Sequence, residues 1–399
     1  MTDVDRWLLP DGIEELLPPQ AAKLEATRRR LLDKFETWGY ELVVTPMVEF
    51  LDSLLTGTGS DLDLKTFKVT DQVSGRSMGI RADITPQVAR MDAHSLQRDG
   101  ESRLCYVGTV LHAKADNMLA SRTPLSIGAE LFGDTSSGGD LEIVSLMLDS
   151  VASVSNQPLH VELGDVGIYR SLVADAGLDP IDEQALFDKI QGKALPDLAI
   201  LLSELNIEDK LAELLIVLPT LCGGESVIEQ GKAIFKNYPD VLERIDNLEV
   251  IANRLRSRFK QVQLNFDLSE LRGYNYHTGI VFAAYLAHSG VRVAKGGRYD
   301  DVGRVFGRAR GATGFDIDLK TLVRESAIEL NLRMVVETMA TADEGCDQWR
   351  EINALRAAGY TVVEGSSAAA AKRLELQDGQ WQLVDIQKNN PTKRDVNGQ

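Results

Sequence analysis

The segment Leu271-Arg272-Gly273-Tyr274-Asn275-Tyr276-His277-Thr278-Gly279-Ile280-Val281-Phe282 joins a cluster of polar and aromatic groups directly to a β-branched run. It reads as a turn feeding a strand. Gly273 permits a backbone conformation that other residues resist, and the Tyr/His/Thr/Ile/Val/Phe content after it favours a pleated surface. Alternation places Tyr276, Thr278, Ile280 and Phe282 on one face and His277, Gly279 and Val281 on the other. The turn at Gly273 decides which face Arg272 joins. One account of the segment is a core strand whose tyrosine hydroxyls reach the rim. The other is a pocket for a small zwitterion, with an arginine, two tyrosines and a histidine as its walls.

Strand patterns flank this segment on both sides, Gln261 to Leu268 before it and Val291 to Ala294 after it. Gly296-Gly297-Arg298-Tyr299-Asp300 reads as a glycine turn, and Gly314-Phe315-Asp316-Ile317-Asp318 leads into a helix through Leu322, Ile328 and Leu330. Nearer the start, Leu24, Thr27, Leu31, Lys34 and Phe35 recur at helical spacing, with Arg28-Arg29-Arg30 on the exposed side and Gly39 as the stop. Tyr40 to Pro46 is a strand ended by proline, suited to a sheet edge or an interface. The polar stretch Gly57 to Asp63 reads as a loop. Phe67 to Val69 and Met78 to Arg81 form a hairpin about the turn Asp71 to Arg76. In Ala82-Asp83-Ile84-Thr85-Pro86-Gln87, Thr85 is a candidate N-cap and Pro86 a first helical residue, and Asp83 and Thr85 project together. The strands Leu104 to Leu111 and Leu125 to Gly133 are joined by a polar connection, His112 to Pro124.

The pattern is helical almost throughout 167–258, as an insertion between two halves of a sheet would be. These patterns divide the chain into a first core part, 1–166, the insertion, 167–258, a second core part, 259–333, and a small C-terminal α/β module, 334–399, with a polar end expected to fray. The fold class is α+β.

With 399 residues, 44% hydrophobic and 26% charged, the chain has the composition of a globular protein with a substantial core. Its formal charge of −17, with no Lys/Arg-rich block, disfavours broad nucleic-acid binding. Cys105, Cys222 and Cys346 are far apart and in no metal-ligand spacing, which fits a reducing compartment. There is no basic, apolar leader pattern and no apolar run long enough to span a membrane, so a cytoplasmic protein is expected.

In this order, the helix and strand ending Thr45-Pro46, IRADITPQ, the strands about His112 to Pro124, RGYNYHTGIVF, AKGGRYDDV and GATGFDIDL resemble the catalytic core of class II histidyl-tRNA synthetase over about residues 10–330. The resemblance implies an antiparallel sheet with flanking helices. It also implies which functional positions are kept. Where the synthetases have a Phe-Arg pair that orients the ATP α-phosphate, this chain has Leu111-His112, and the 18 positions from His112 to Glu130 match the family spacing without a gap. Ala120 replaces a further arginine of that loop, and Thr321 replaces the arginine that clamps the nucleotide. Lys320 beside it lacks the planar, bidentate fork of a guanidinium. Phosphoryl-transfer chemistry depends on such clamps, so adenylation is not expected.

The amino-acid half of the resembled site is kept in outline. Asp83 and Thr85 stand for the groups that hold the α-amino group of histidine, Glu130 for the glutamate that contacts the imidazole, and Arg272 for the arginine that contacts the amino acid. Tyr276 matches the first of a tyrosine pair, His277 replaces the second, and Ser126 replaces a glutamine. The short segment after the core stands where synthetases carry a larger anticodon-binding domain. That combination resembles the regulatory subunits of short-form ATP phosphoribosyltransferase, paralogues of the synthetase. It implies a non-catalytic, cofactor-free partner of the catalytic subunit in the first step of histidine biosynthesis, with L-histidine as effector and no tRNA or membrane partner. It further implies a homodimer, built on the first-motif helix and the Thr45-Pro46 strand, within a hetero-oligomer, expected as a hetero-octamer. A histidine-binding sensor of another pathway and an active synthetase are the competing readings.

Overall fold

The computed structural model describes residues 7–56, 60–115, 120–174, 176–205, 207–326, 328–329, 333–339 and 346–386. They form two compact units, Met1–Ile328 and Glu329–Gln399. The first unit is built on a nine-stranded sheet. Its strands are β1 (Glu41–Leu42), β5 (Ser102–Thr109), β6 (Leu125–Phe132), β7 (Leu159–Asp165), β8 (Cys222–Gly223), β9 (Val262–Asp267), β10 (Ile280–Leu286), β11 (Arg292–Arg298) and β12 (Ala312–Asp318), in the spatial order β1-β5-β6-β12-β11-β10-β7-β9-β8. All neighbours are antiparallel except β1 with β5 and β7 with β9. A separate three-stranded sheet of β2 (Val48–Phe50), β4 (Ser77–Ile80) and β3 (Phe67–Thr70) contains the hairpin expected about Asp71.

The two faces of the large sheet are unlike. On one, helices Gln20–Thr37, Ser137–Val154 and Pro239–Arg258 bury apolar side chains against the strands, including Leu31, Phe35, Met147, Ile251, Ile280, Phe282 and Phe315. The spacing of Thr27, Leu31 and Phe35 gives the first helix its buried stripe, and it stops at Gly39, whose φ is +83°. The insertion is helical as read, and its Leu186, Leu198 and Leu215 extend this core, while β8 caps the sheet edge. The other face carries a smaller core of Ile84, Val88, Leu104, Tyr106, Tyr299 and Val302 beneath helix Thr85–Arg90. The rest of that face is open.

Several local expectations change. β10 begins at Ile280, so Tyr276, His277 and Thr278 belong to the preceding turn and share no strand face with it. Gly296, Gly297 and Arg298 are not a turn but part of β11, paired with both β10 and β12. Glycine is needed there for close approach: a Cβ at Gly296 would lie 2.2 Å from the Gly314 carbonyl oxygen. The edge strand after Tyr40 has only two residues, because buried Arg81 donates from Nη1 to Thr45 Oγ1 (2.7 Å) and O (3.0 Å) and holds that segment in another path. Of the loop read at Gly57 to Asp63, residues 57–59 lie outside the described residues and Ser60–Lys65 is helical. The helix after Asp318 ends at Glu325, before Ile328, and Leu330 lies outside the described residues.

The second unit has β13 (Val335–Thr338), β14 (Thr361–Glu364), β15 (Lys372–Gln377) and β16 (Gln380–Asp385) in the order β14-β13-β15-β16, with helix Cys346–Ala357. Its core holds Val336, Ile352, Val362 and Leu374. The hairpin of β15 and β16 was not read from the sequence, and the expected fraying of the last ten residues lies outside the described residues. Among the described residues no helix is long and apolar enough to cross a membrane.

Candidate functional site

The open face of the sheet holds a cavity of about 280 Å³ whose lining includes all six residues expected to hold an amino acid: Asp83, Thr85, Glu130, Arg272, Tyr276 and His277. Its roof is the turn at Gly273. There φ is +72°, and the Gly273 carbonyl accepts from the amides of Tyr276 (2.8 Å) and His277 (2.7 Å). A Cβ at this position would lie 2.4 Å from His277 Nδ1, so only glycine allows the imidazole to fold back beneath the turn. Tyr276 then stacks on Tyr299, with ring centroids 5.0 Å apart, and meets His277 edge-on. His277 Nδ1 lies 3.3 Å from the Arg272 carbonyl oxygen. Burial pushes the imidazole down to about 4, so at neutral pH it is uncharged, donates from Nδ1 and keeps a lone pair on Nε2.

The floor follows from strand register. Glu130 on β6 pairs with Gly314 on β12, and a Cβ there would lie 1.5 Å from Glu130 Oε2, so the carboxylate rests on the bare backbone of its neighbour. Thr85 donates to Glu130 Oε1 at 2.9 Å, and Tyr299 donates a short hydrogen bond to Oε2. Burial pushes Glu130 up to about 8; those two hydroxyls pull it down, and the carboxylates of Asp83 and Asp316 push it further up. Burial likewise pushes Asp316 up to about 6. Thr85 is not the N-cap. Ile84 occupies that position without a side-chain bond, the Thr85 hydroxyl is turned to Glu130 instead, and its amide donates to Asp83 Oδ1 at 3.0 Å. Tyr276 lines this cavity, and its hydroxyl is buried and finds no partner among the described residues.

Four of the five N–H groups of the Arg272 guanidinium are already occupied. Nε donates to Glu270 Oε2 (2.8 Å), Nη1 to the Tyr285 hydroxyl (2.9 Å), and Nη2 to both Glu270 and Glu162. Lys295 also lines the cavity, 4.0 Å from Asp316.

Beside this cavity lies a larger one, about 500 Å³, and His112, Ala120 and Thr321 all line it. The groups here serve local structure. His112 Nε2 lies 3.1 Å from the Ala82 carbonyl oxygen, Thr321 donates to Asp318 Oδ2 at 2.6 Å within the helix cap, and Lys320 bonds to Thr123 (3.2 Å) and pairs with Glu14 (3.4 Å). These three side chains form no planar cationic clamp of the kind a triphosphate needs, and the guanidiniums that line the cavity come from other positions, Arg292 and Arg324.

Tyr299, Asp316, Lys295, Glu162 and Glu270 line the smaller cavity and were not singled out from the sequence. Tyr299 and Lys295 lie in AKGGRYDDV and Asp316 in GFDIDL, so the resemblance marked their segments, and Asp316 and Asp318 alternate as one strand face requires. Nothing local pointed to Glu162, which reaches Arg272 only because β7 pairs with β10.

The sequence profile of the family described as histidyl-tRNA synthetase matches residues 12–322. The chain is 51% identical over 396 residues to an ATP phosphoribosyltransferase regulatory subunit of Pseudomonas aeruginosa, covering 97% of this chain and 100% of that protein. Among solved structures, an ATP phosphoribosyltransferase regulatory subunit/histidyl-tRNA synthetase from Bacillus halodurans is similar with a TM-score of 0.77 and 25% identity, over 91% of this chain and 94% of that one. A chain of an ATP phosphoribosyl transferase complex from Thermotoga maritima shares the fold, with a TM-score of 0.56 and 18% identity over 76% and 98% of the two chains. The chain belongs to the histidyl-tRNA synthetase family and, within it, to the ATP phosphoribosyltransferase regulatory subunits.

Proposed function

We propose that this family member is the non-catalytic regulatory subunit of a short-form ATP phosphoribosyltransferase, raising the activity of the catalytic subunit and making it answer to L-histidine bound in the smaller cavity. The observation that carries the effector reading is Tyr276, its hydroxyl buried and unpaired, in a lining shared with Asp83, Glu130 and Asp316. An unpaired buried hydroxyl costs about 1–3 kcal/mol, and carboxylates gathered out of water cost more, unless a ligand pairs them. A small cation with several N–H donors answers both. In this reading Asp83 and Thr85 take the α-ammonium, and Glu130, with Tyr276 or His277, takes the imidazole. The volume of about 280 Å³ suits a ligand of amino-acid size.

The larger cavity supports the non-catalytic half of the reading, because the positions that would orient ATP are His112, Ala120 and Thr321. The net charge of −17 favours a partner other than tRNA. Leu42, Val44 and Met47 are exposed beside the edge strand β1, an apolar strip that suits a second copy of the chain. That face is consistent with the homodimer inside a symmetric hetero-oligomer, a hetero-octamer, that the resemblance implies. The setting is the cytoplasm.

An effector shifts its partner only by binding one state of the assembly better than another, typically by about 1–3 kcal/mol of coupling. The test measures condensation of ATP with phosphoribosyl pyrophosphate by the catalytic subunit, with and without this chain, across a histidine titration. The expected outcome is co-elution, a higher rate without histidine and inhibition with it. A chain that neither co-elutes nor changes the rate or the histidine response overturns the regulatory reading.

A further inference from the structure

We infer that Lys295, and not Arg272, receives the carboxylate of the amino acid bound in the smaller cavity. The inference rests on the histidine-binding reading and refines it. Resemblance gives this task to Arg272, but every nitrogen of that guanidinium is committed to Glu270, Glu162 or Tyr285. Burial pushes Glu162 up, while at Glu270 burial is outweighed by Arg272, which holds it down, so at least one carboxylate already balances the guanidinium and that wall offers no net positive charge. A ligand carboxylate would gain no attraction there, and drawing Arg272 away would strand Glu270, whose side chain is 10% exposed, without its counter-charge.

Lys295 is differently placed. It projects from the middle of β11, where its neighbours in register are Ala283 and Asp316. Its side chain is 56% exposed, and its ion pair with Asp316 spans 4.0 Å, the outer limit of such a contact. It lines the same cavity as His277 under the turn and Asp316 on the acidic floor. Lys65 and Arg292 also line the cavity, but Lys65 comes from the end of helix Ser60–Lys65, outside the large sheet, and Arg292 from the end of β11 where the register with β10 shifts. A zwitterion whose ammonium lies toward Asp83 and whose imidazole lies toward Glu130 thus meets a cation on the third side. A lysine on a flexible four-carbon stem can follow that carboxylate without breaking the Arg272 cluster.

Calorimetry on the full chain separates the alternatives by comparing L-histidine with histamine, which keeps the amine and imidazole and lacks the carboxylate. Lys295→Met should weaken histidine about ten- to a hundredfold, the worth of a hydrogen bond to a charged group. Histamine should bind as before or tighter, since a cation is removed from beside a cationic ligand. Lys295→Arg should restore most of the histidine affinity, and Arg272→Lys should change both ligands alike. Equal losses for the two ligands in Lys295→Met, or a loss confined to histidine in Arg272→Lys, overturns the assignment while leaving the effector reading intact. A wild-type chain that binds neither ligand overturns the effector reading and this assignment with it.

Discussion

The two cavities on the open face of the sheet share Arg292, Lys295 and Asp316 as a common wall, yet their polar groups are used in opposite ways. In the smaller one, hydroxyls and carboxylates from Thr85, Glu130 and Tyr299 interlock around a space that Tyr276, its hydroxyl unpaired, also lines. In the larger one, Thr321 and Lys320 have turned to a helix cap and to Glu14 and Thr123. A site under demand to bind keeps polar groups at a cost to stability, whereas a site released from that demand lets its groups find partners nearby. In the proposed reading, the contrast is that of a synthetase scaffold without its chemistry and with an amino-acid pocket.

The largest effect that could break this contrast lies in the acids. Glu130→Gln and Asp83→Ala should each weaken L-histidine about ten- to a hundredfold by calorimetry, because each removes a charge-assisted hydrogen bond. Thr321→Ala in the larger cavity should leave histidine affinity within about twofold, since Thr321 bonds within its own helix cap. If the two sets had equal effects, the cavities would not be functionally distinct.

A smaller effect sharpens the role of the unpaired hydroxyl. Tyr276→Phe should weaken histidine about two- to tenfold, the net worth of one ordinary hydrogen bond, and leave the ligand-free chain as stable or slightly more so. Chemical denaturation with and without histidine separates the two results. A stability loss without a change in affinity would make the hydroxyl structural.

A pH dependence bears on the same carboxylate. Glu130 sits at about 8 when folded against an ordinary 4.5, so the folded chain binds more protons between those values. That contribution to stability is present in full below pH 4.5 and is lost as pH rises through about 8. His277 acts on the other side: it sits at about 4 against 6.5, so the unfolded chain takes up protons first and stability falls as pH drops through that interval. The ligand-free melting temperature should therefore fall off on both sides of a maximum, and Glu130→Gln should flatten the alkaline limb alone. An unchanged alkaline limb would mean that Glu130 is ionised in the empty pocket.

Much of this was legible in the sequence because it is carried by local pattern. The stripe of Leu31 and Phe35, the hairpin about Asp71 and the helical insertion follow from spacing and turn residues. The glycines of AKGGRYDDV misled for a physical reason. A glycine pair looks the same whether it makes a turn or lies in a strand that other groups approach closely, and only the Gly314 and His277 atoms beside Gly296 and Gly297 distinguish the two. Thr85 misled in the same way, since an N-cap and a hydroxyl aimed at a carboxylate on another strand share one residue type.

The order of its segments pointed, without any structure, to a synthetase-like core, to His112, Ala120 and Thr321 where the resembled family carries nucleotide arginines, and to the acids Asp83 and Glu130 where it holds the amino acid. These are statements about identity at fixed positions, which a chain carries in one dimension. Which cation is available to a ligand was decided only in three dimensions. Glu162 comes to Arg272 from 110 residues away, through the pairing of β7 with β10, and satisfies a charge that the sequence alone presented as open. Charge neutralisation acts through space and not along the chain, so the fold, rather than any motif, decides that Arg272, although it lines the cavity, is already paired with Glu162 and Glu270.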